Sequence, residues 1–292
     1  MASLKEVKNR INSVSSTRKI TSAMKMVASS KLHRAQAAIR GMRPYERLLS
    51  GMMSRFLDTL QDDLTSPFAQ KRVRQKVVIV AISSNSSLCG AFNSNIQKCV
   101  LRVIERLHSE KVQYIELMPI GVKISEKVKK LGYEFDPSLS GLLDKPSATR
   151  ATQVAESLMT RFVAKEVDQV ILIYNHFKSS SAQVVMTEDF LPVSLKKNEK
   201  TSGDTLGRQN YYLIEPSSAE VLESLIPQSL HLKIYAALLD SLASEHAARV
   251  IAMQVATDNA DELLQELTLQ YNKSRQAAIT NELLDIAGAS FS

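Results

Sequence analysis

The chain has 292 residues, 44% of them hydrophobic, enough for one or two domains with a substantial core. Its two cysteines, Cys89 and Cys99, have no Cys or His partner at metal-ligand spacing, and no run approaches ~20 apolar residues, so neither a zinc site nor a disulfide framework nor a membrane span is indicated. The formal net charge of +7 is local: residues 1–58 carry twelve Lys and Arg against Glu6, Glu46 and Asp58, whereas residues 217–292 carry four basic and ten acidic side chains.

Residues 1–58 read as one long helix. Apolar residues fall at Leu4, Val7, Ile11 and Val14, then Ile20, Met24 and Val27, then Leu32, Ala35, Ile39, Met42, Tyr45, Leu49, Met52 and Phe56. Steps of three and four mark a seam packed against one other helix, with phase slips after Val14 and Val27. Pro44 bends this helix rather than ending it, because the apolar steps keep their phase across it.

From 76 the pattern changes. Residues 76–82 (KVVIVAI) form a continuous apolar run of strand length, followed by a helix over 93–108. A second strand over 114–120, helices over 123–131 and 150–164, and a third strand over 169–174 continue the alternation. Residues 184–191 and 211–214 are further strand candidates, separated by a polar loop over 196–210. The alternation predicts a mainly parallel sheet covered on both faces, with an antiparallel addition late in the chain.

The last segment opens on Pro216, Ser217 and Glu220 in a capping-box arrangement. Its seam runs through Leu239, Leu242, His246, Val250, Met253, Thr257, Ala260, Leu264, Leu267, Tyr271, Ser274 and Ala278. The expected organisation is an N-terminal helix (1–58), an α/β body with linkers (59–216) and a C-terminal helix (217–292). The fold class is α/β with a long antiparallel two-helix coiled coil, the opposite charges of its two helices favouring their pairing. At ~1.5 Å per residue each helix outruns a compact domain, which predicts a rod. Met1 is expected beside the middle of the second helix, with Val7 near 249–257 and residues 278–292 extending beyond.

No catalytic constellation is visible. The loop after the first strand, 83–95 (SSNSSLCGAFNSN), holds one glycine and matches neither the dinucleotide turn nor the P-loop; a turn and cap into the next helix accounts for it. The five histidines are scattered, and Cys89 reads as a small buried hydrophobe. Two other readings are a coiled-coil nucleic-acid or membrane-surface binder using the basic helix and a small-molecule enzyme built on the sheet. Absence of Trp and 5% aromatic residues count against a base-stacking surface.

Several stretches carry a sharper signal: INSVSSTRKITSAMKMVASSKL at 11–32, RPY at 43–45, LCG at 88–90, SEHAARVIAMQVATDNA at 244–260 and YNKSRQAAITNELLDIAGA at 271–289. Together, in this order, they resemble the gamma subunit of F-type ATP synthase of the bacterial type. The resemblance implies a Rossmann-like body and a coiled-coil shaft that is not itself catalytic, with no cofactor and no nucleic-acid partner. Its implied partners are a ring of alpha and beta subunits, the epsilon subunit and the c-subunit ring.

By position, Met24 and Lys25 match the place where the shaft passes the beta-subunit lever, and Arg249 matches a contact to a beta-subunit loop. Arg275, Gln276 and Thr280 match polar positions high on the shaft. Asn85, Ser86 and Ser87 depart from the family's usual Asp, basic residue and Gly before LCG, and Ala91 replaces a common second glycine. The N-terminus lacks the character of a transit peptide, so the expected location is the cytoplasmic side of a bacterial plasma membrane, held there peripherally through the complex.

Overall fold

The computed structural model describes residues 4–59, 66–70, 72–144, 146–193 and 218–290. The strand expected at 211–214, the loop at 196–210 and the cap at Ser217 lie outside them, as does the side chain of Phe56. Its internal contacts divide the chain into two units, Lys31–Ala248 and a second made of Met1–Ser30 with Arg249–Ser292.

The larger unit is built on four strands, β1 (Lys76–Ile82), β2 (Tyr114–Ile120), β3 (Gln169–Phe177) and β4 (Gln183–Leu191), in the order β2-β1-β3-β4. β1 pairs in parallel with β2 and β3, and β4 closes the far edge antiparallel to β3. Parallel neighbours need crossovers, and helices supply them. α2 (Phe92–Ser109) links β1 to β2, while α3 (Val122–Lys130), a 3-10 turn (Pro137–Leu142) and α4 (Ala148–Val163) link β2 to β3.

The unbroken apolar run of β1 follows from this central position. Val77, Ile79 and Ala81 enter a core with α2 and α3, whereas Val78, Val80 and Ile82 enter another with α4. Alternate side chains of a strand point to opposite faces, so a strand buried on both faces has no polar position to offer. Phe162, with no exposed area, anchors the α4 side; Arg72 stacks on its ring at 4.8 Å and donates to its carbonyl at 2.8 Å.

Two long helices complete the chain, α1 (Leu4–Thr59) and α5 (Ser218–Ser290), which run through Pro44 and Pro227 respectively. Each contributes to both units. In the larger unit Leu32 and Ile39 of α1 pack against Leu239, Ala243 and Ala247 of α5, while Leu49 joins Ile226, Leu230 and Leu238 in the α4-side core.

The loop after β1 is the turn that the sequence implies. The Ser84 amide donates to Asn93 Oδ1 at 3.2 Å, and Asn85 joins the loop to its neighbours by donating to Asp144 and accepting from the Val122 amide. Gly121, at the β2–α3 turn, has φ +116, and a Cβ there would stand 2.7 Å from Ser83 Oγ and 3.0 Å from the Ser83 carbonyl carbon. Only glycine fits that close approach. Among the described residues no group of His, Cys, Asp and Glu is arranged to hold a metal ion, and no helix is long and apolar enough to cross a membrane.

Candidate coupling surface on the two-helix coil

The smaller unit is a two-helix coil. Arg18 pairs with Asp261 at 2.5 Å, Thr21 with Thr257 at 2.8 Å and Lys25 with Gln254 at 2.7 Å. Numbers rise on α1 as they fall on α5, so the helices are antiparallel. Eleven residues before Arg18 is Val7, and eleven after Asp261 is Asn272, which places Val7 far from 249–257. The expected stagger is therefore corrected at Val7, which stands level with Asn272; Met1 itself lies outside the described residues. By the same count Leu4 lies level with Arg275, so residues from 278 on do extend past α1.

The seam corrects a second expectation. Counting from Leu4 in alternate steps of three and four gives Val7, Ile11, Val14, Arg18, Thr21, Lys25, Ala28 and Leu32 without a slip. Val7, Thr21, Ala28 and Leu32 are buried, whereas Ile20 and Val27 are 60% and 57% exposed. A hydrophobicity count follows the apolar residues away from the seam here, because the seam itself is polar for one heptad. α5 answers it with Gln254, Thr257 and Asp261, flanked by buried Met253, Ala260 and Leu267. Only Thr257 among these polar partners lay in the expected seam; a strict heptad count on α1 is the signal that finds the others.

The polar zone is tied within and across the helices. Thr257 Oγ1 donates to the Met253 carbonyl at 2.7 Å, and Thr21 Oγ1 lies 3.0 Å from the Arg18 carbonyl. Gln254 accepts from Lys25 and donates to Asp258 at 2.7 Å. A polar seam costs packing energy and returns register, since one helix cannot slide on the other without parting these atoms.

The six residues singled out by resemblance fall into three settings. Met24 and Lys25 are half-buried: Lys25 reaches across the seam to Gln254, and Met24 stands between exposed Ile20 and Val27 on an apolar strip beside it. Arg249 is buried at 8% exposure and is engaged within the chain, not a solvated charge. Arg275, Gln276 and Thr280 are exposed near or beyond the end of α1, where Thr280 Oγ1 donates to the Gln276 carbonyl at 2.9 Å. The structure brings Met24 and Lys25 together; the other four stand elsewhere along α5.

The coil also exposes apolar side chains that the heptad leaves outside. Ile251 and Val255 face solvent beside the polar zone, and Leu269, Ile279, Leu283, Leu284 and Ile286 do so toward the end of α5. Exposed apolar groups gathered along a helix pair fit contact with other proteins. The two units thus define a protein that works through its surfaces.

A family model described as ATP synthase matches residues 3–291. The ATP synthase gamma chain of Bacteroides fragilis is 54% identical over 292 residues, covering 99% of each chain. The gamma chain of Flavobacterium psychrophilum is 44% identical over 99% of this chain and 98% of its own. The chain belongs to the ATP synthase gamma chain family. The same fold occurs in a chain of the Euglena gracilis mitochondrial ATP synthase, with TM-score 0.64 and 19% identity over 99% of this chain and 93% of that one. A chain from the central stalk and c-ring structure of the Tetrahymena thermophila mitochondrial ATP synthase gives TM-score 0.56 and 24% identity over 81% of this chain and 99% of that one.

Proposed function

We propose that this chain is the central-stalk rotor subunit of a proton-translocating F-type ATP synthase. The coil engages the ring of alpha and beta subunits, and the α/β body engages the epsilon subunit and the c-subunit ring. Proton flow turns the rotor, and the rotor drives ATP synthesis on the ring, or hydrolysis drives it in reverse. The chain is not itself catalytic and reaches the cytoplasmic side of the bacterial plasma membrane peripherally, through the complex.

The observation that carries this reading is the apolar end of α5. Ile279, Leu283, Leu284 and Ile286 are 48–67% exposed beyond the last described residue of α1 that could cover them. Exposing such side chains to water costs free energy, and an apolar sleeve formed by a surrounding ring removes that cost.

A rotor can change the chemistry of another subunit only by binding its conformations unequally. Met24 and Lys25 supply such an asymmetric contact to the beta lever, Arg249 orders its own segment against a beta loop, and Arg275, Gln276 and Thr280 hydrogen-bond to the ring high on the shaft. The Met24→Lys variant tests this. An added cation beside Lys25 gives the lever a charge-assisted contact worth ~1.5–3 kcal/mol in one rotary position and not the next, which deepens a single resting angle.

ATP hydrolysis and ATP-driven proton pumping are compared in membranes carrying the variant. Expected is much of the hydrolysis with depressed pumping; equal losses of both, or no loss of either, refute the coupling role of Met24. Recovery of the unaltered chain without an alpha–beta ring refutes the rotor assignment itself.

A further inference from the structure

Within the larger unit, three polar side chains of α5 bond to the antiparallel end of the sheet. Lys233 Nζ lies 3.1 Å from Glu188 Oε2 and donates to the Asp189 carbonyl at 3.1 Å, both on β4. Asp240 meets His176 Nδ1 on β3 at 2.5 Å. Ser244 Oγ, fully buried, donates to the Asn175 carbonyl at 3.1 Å.

The three residues are seven and four apart, and at 3.6 residues per turn they lie on one stripe of the helix. The stripe is ~16 Å long. Along the strands, Glu188 stands level with Leu172, four residues from His176, a span of ~13 Å at ~3.3 Å per residue. The helix is therefore bonded to the sheet at several points along its course.

Beside this stripe Leu230, Ile234 and Leu238 bury almost completely in the α4-side core. Apolar packing is strong but non-directional, and lets one surface shear over another more readily than bonds fixed at named atoms. Asp240 is retained at a cost. Burial pushes its carboxyl above the ordinary aspartate range, against the pull of the His176 bond and the charge of Arg43, while Glu188 adds repulsion. An apolar residue could fill this partly buried place beside the core with less desolvation; a directional bond is what the carboxylate adds.

We propose that Lys233, Asp240 and Ser244 are positioning residues that lock α5 in rotational register against the sheet, so that torque passes between the α/β body and the shaft helix without slip. The proposal rests on the rotor reading above. Turning α5 under load requires all three attachments to part together, whereas unloaded turnover does not strain them.

The test uses the whole enzyme in sealed membranes, with the triple variant Lys233→Met, Asp240→Leu, Ser244→Ala and with Asp240→Asn alone, which keeps an acceptor for His176. With the proton gradient collapsed, hydrolysis by the triple variant stays within about twofold of the unaltered enzyme; against an opposing gradient, protons pumped per ATP fall by about threefold or more. Asp240→Asn retains the unaltered ratio. A purely structural role would lower assembly yet leave the ratio unchanged at every gradient, and that result overturns the proposal. Should the triple variant not assemble, Lys233→Met with Ser244→Ala is carried through the same comparison, an intermediate loss supporting the lock and an unchanged ratio refuting it. Failure of the unaltered complex to couple hydrolysis to pumping refutes the rotor reading instead.

Discussion

The two units hold their helices with different balances of apolar and polar contact. In Lys31–Ala248 the core is made of large apolar side chains with almost no exposure, Ile79, Leu158, Phe162 and Leu172 among them. In the coil the seam is narrow, and for one heptad it is Arg18, Thr21 and Lys25 against Asp261, Thr257 and Gln254. Buried area stabilises a fold without fixing which of several similar packings is adopted, whereas a polar seam does the reverse. The sheet unit rests chiefly on buried area, with its polar ties to α5 added to a core that already holds the fold. In the coil the polar contacts lie in the packing seam itself, and substitutions in the two units should fail differently.

The largest effect belongs in the sheet unit. Phe162→Ala removes a fully buried ring and leaves Arg72 without its stacking partner, at an expected cost of about 3–5 kcal/mol. Hydrogen exchange resolved by peptide is the measurement. Peptides from β1 and β3 should lose protection well before those from the coil; equal loss in both would end the distinction between the units.

An intermediate effect, opposite in sign, belongs to the threonine pair. Thr21 and Thr257 each lie within hydrogen-bonding distance of a carbonyl of their own helix as well as of each other, three contacts for two hydroxyl protons. One contact always lacks a proton. Replacing both by valine keeps the shape and removes the shortfall, so the double variant should be as stable as the unaltered chain or more stable by about 1 kcal/mol, by urea unfolding. Its register should loosen, seen as a wider spread of cross-links between cysteines placed on α1 and α5. A destabilised double variant with unchanged register would show that these hydroxyls act as stabilising bonds rather than register pins.

Much of this fold was legible because most elements obey one strong rule each. β1 and β2 fall where an apolar run or alternation requires, and the long helices are set by steps of three and four. β3 runs three residues past its expected end, through Asn175, His176 and Phe177, because β4 pairs with those positions and supplies the support that local composition does not. The 3-10 turn at Pro137–Leu142 was not foreseen; its signal is Asp136, whose side chain accepts from the Ser138 amide. The coil misled the count where its seam turned polar, since hydrophobicity locates a seam only when the seam is apolar. Ile20 and Val27, drawn into the seam by that count, are surface residues.

The smallest effect decides whether overall charge or local bonding sets the register of the coil. The helices carry opposite net charges, and Arg18–Asp261 is an ion pair across them, with side chains 48% and 42% exposed. An exposed pair of this kind contributes roughly 0.2–1 kcal/mol and is screened by salt. Asp261→Asn should therefore cost less than about 1 kcal/mol in dilute buffer and almost nothing in ~1 M salt, where the Debye length is ~3 Å. The register should not move. Cysteines at Val7 and Asn272 should cross-link in preference to cysteines at Val7 and Thr257, equally in the variant and the unaltered chain, at low and high salt. Were high salt or Asp261→Asn to shift the cross-link toward Thr257, long-range charge would be holding the stagger and the polar seam would be following it. Register that persists without the ion pair points to Thr21–Thr257 and Lys25–Gln254, cross-helix bonds that salt screens little and that sliding would part.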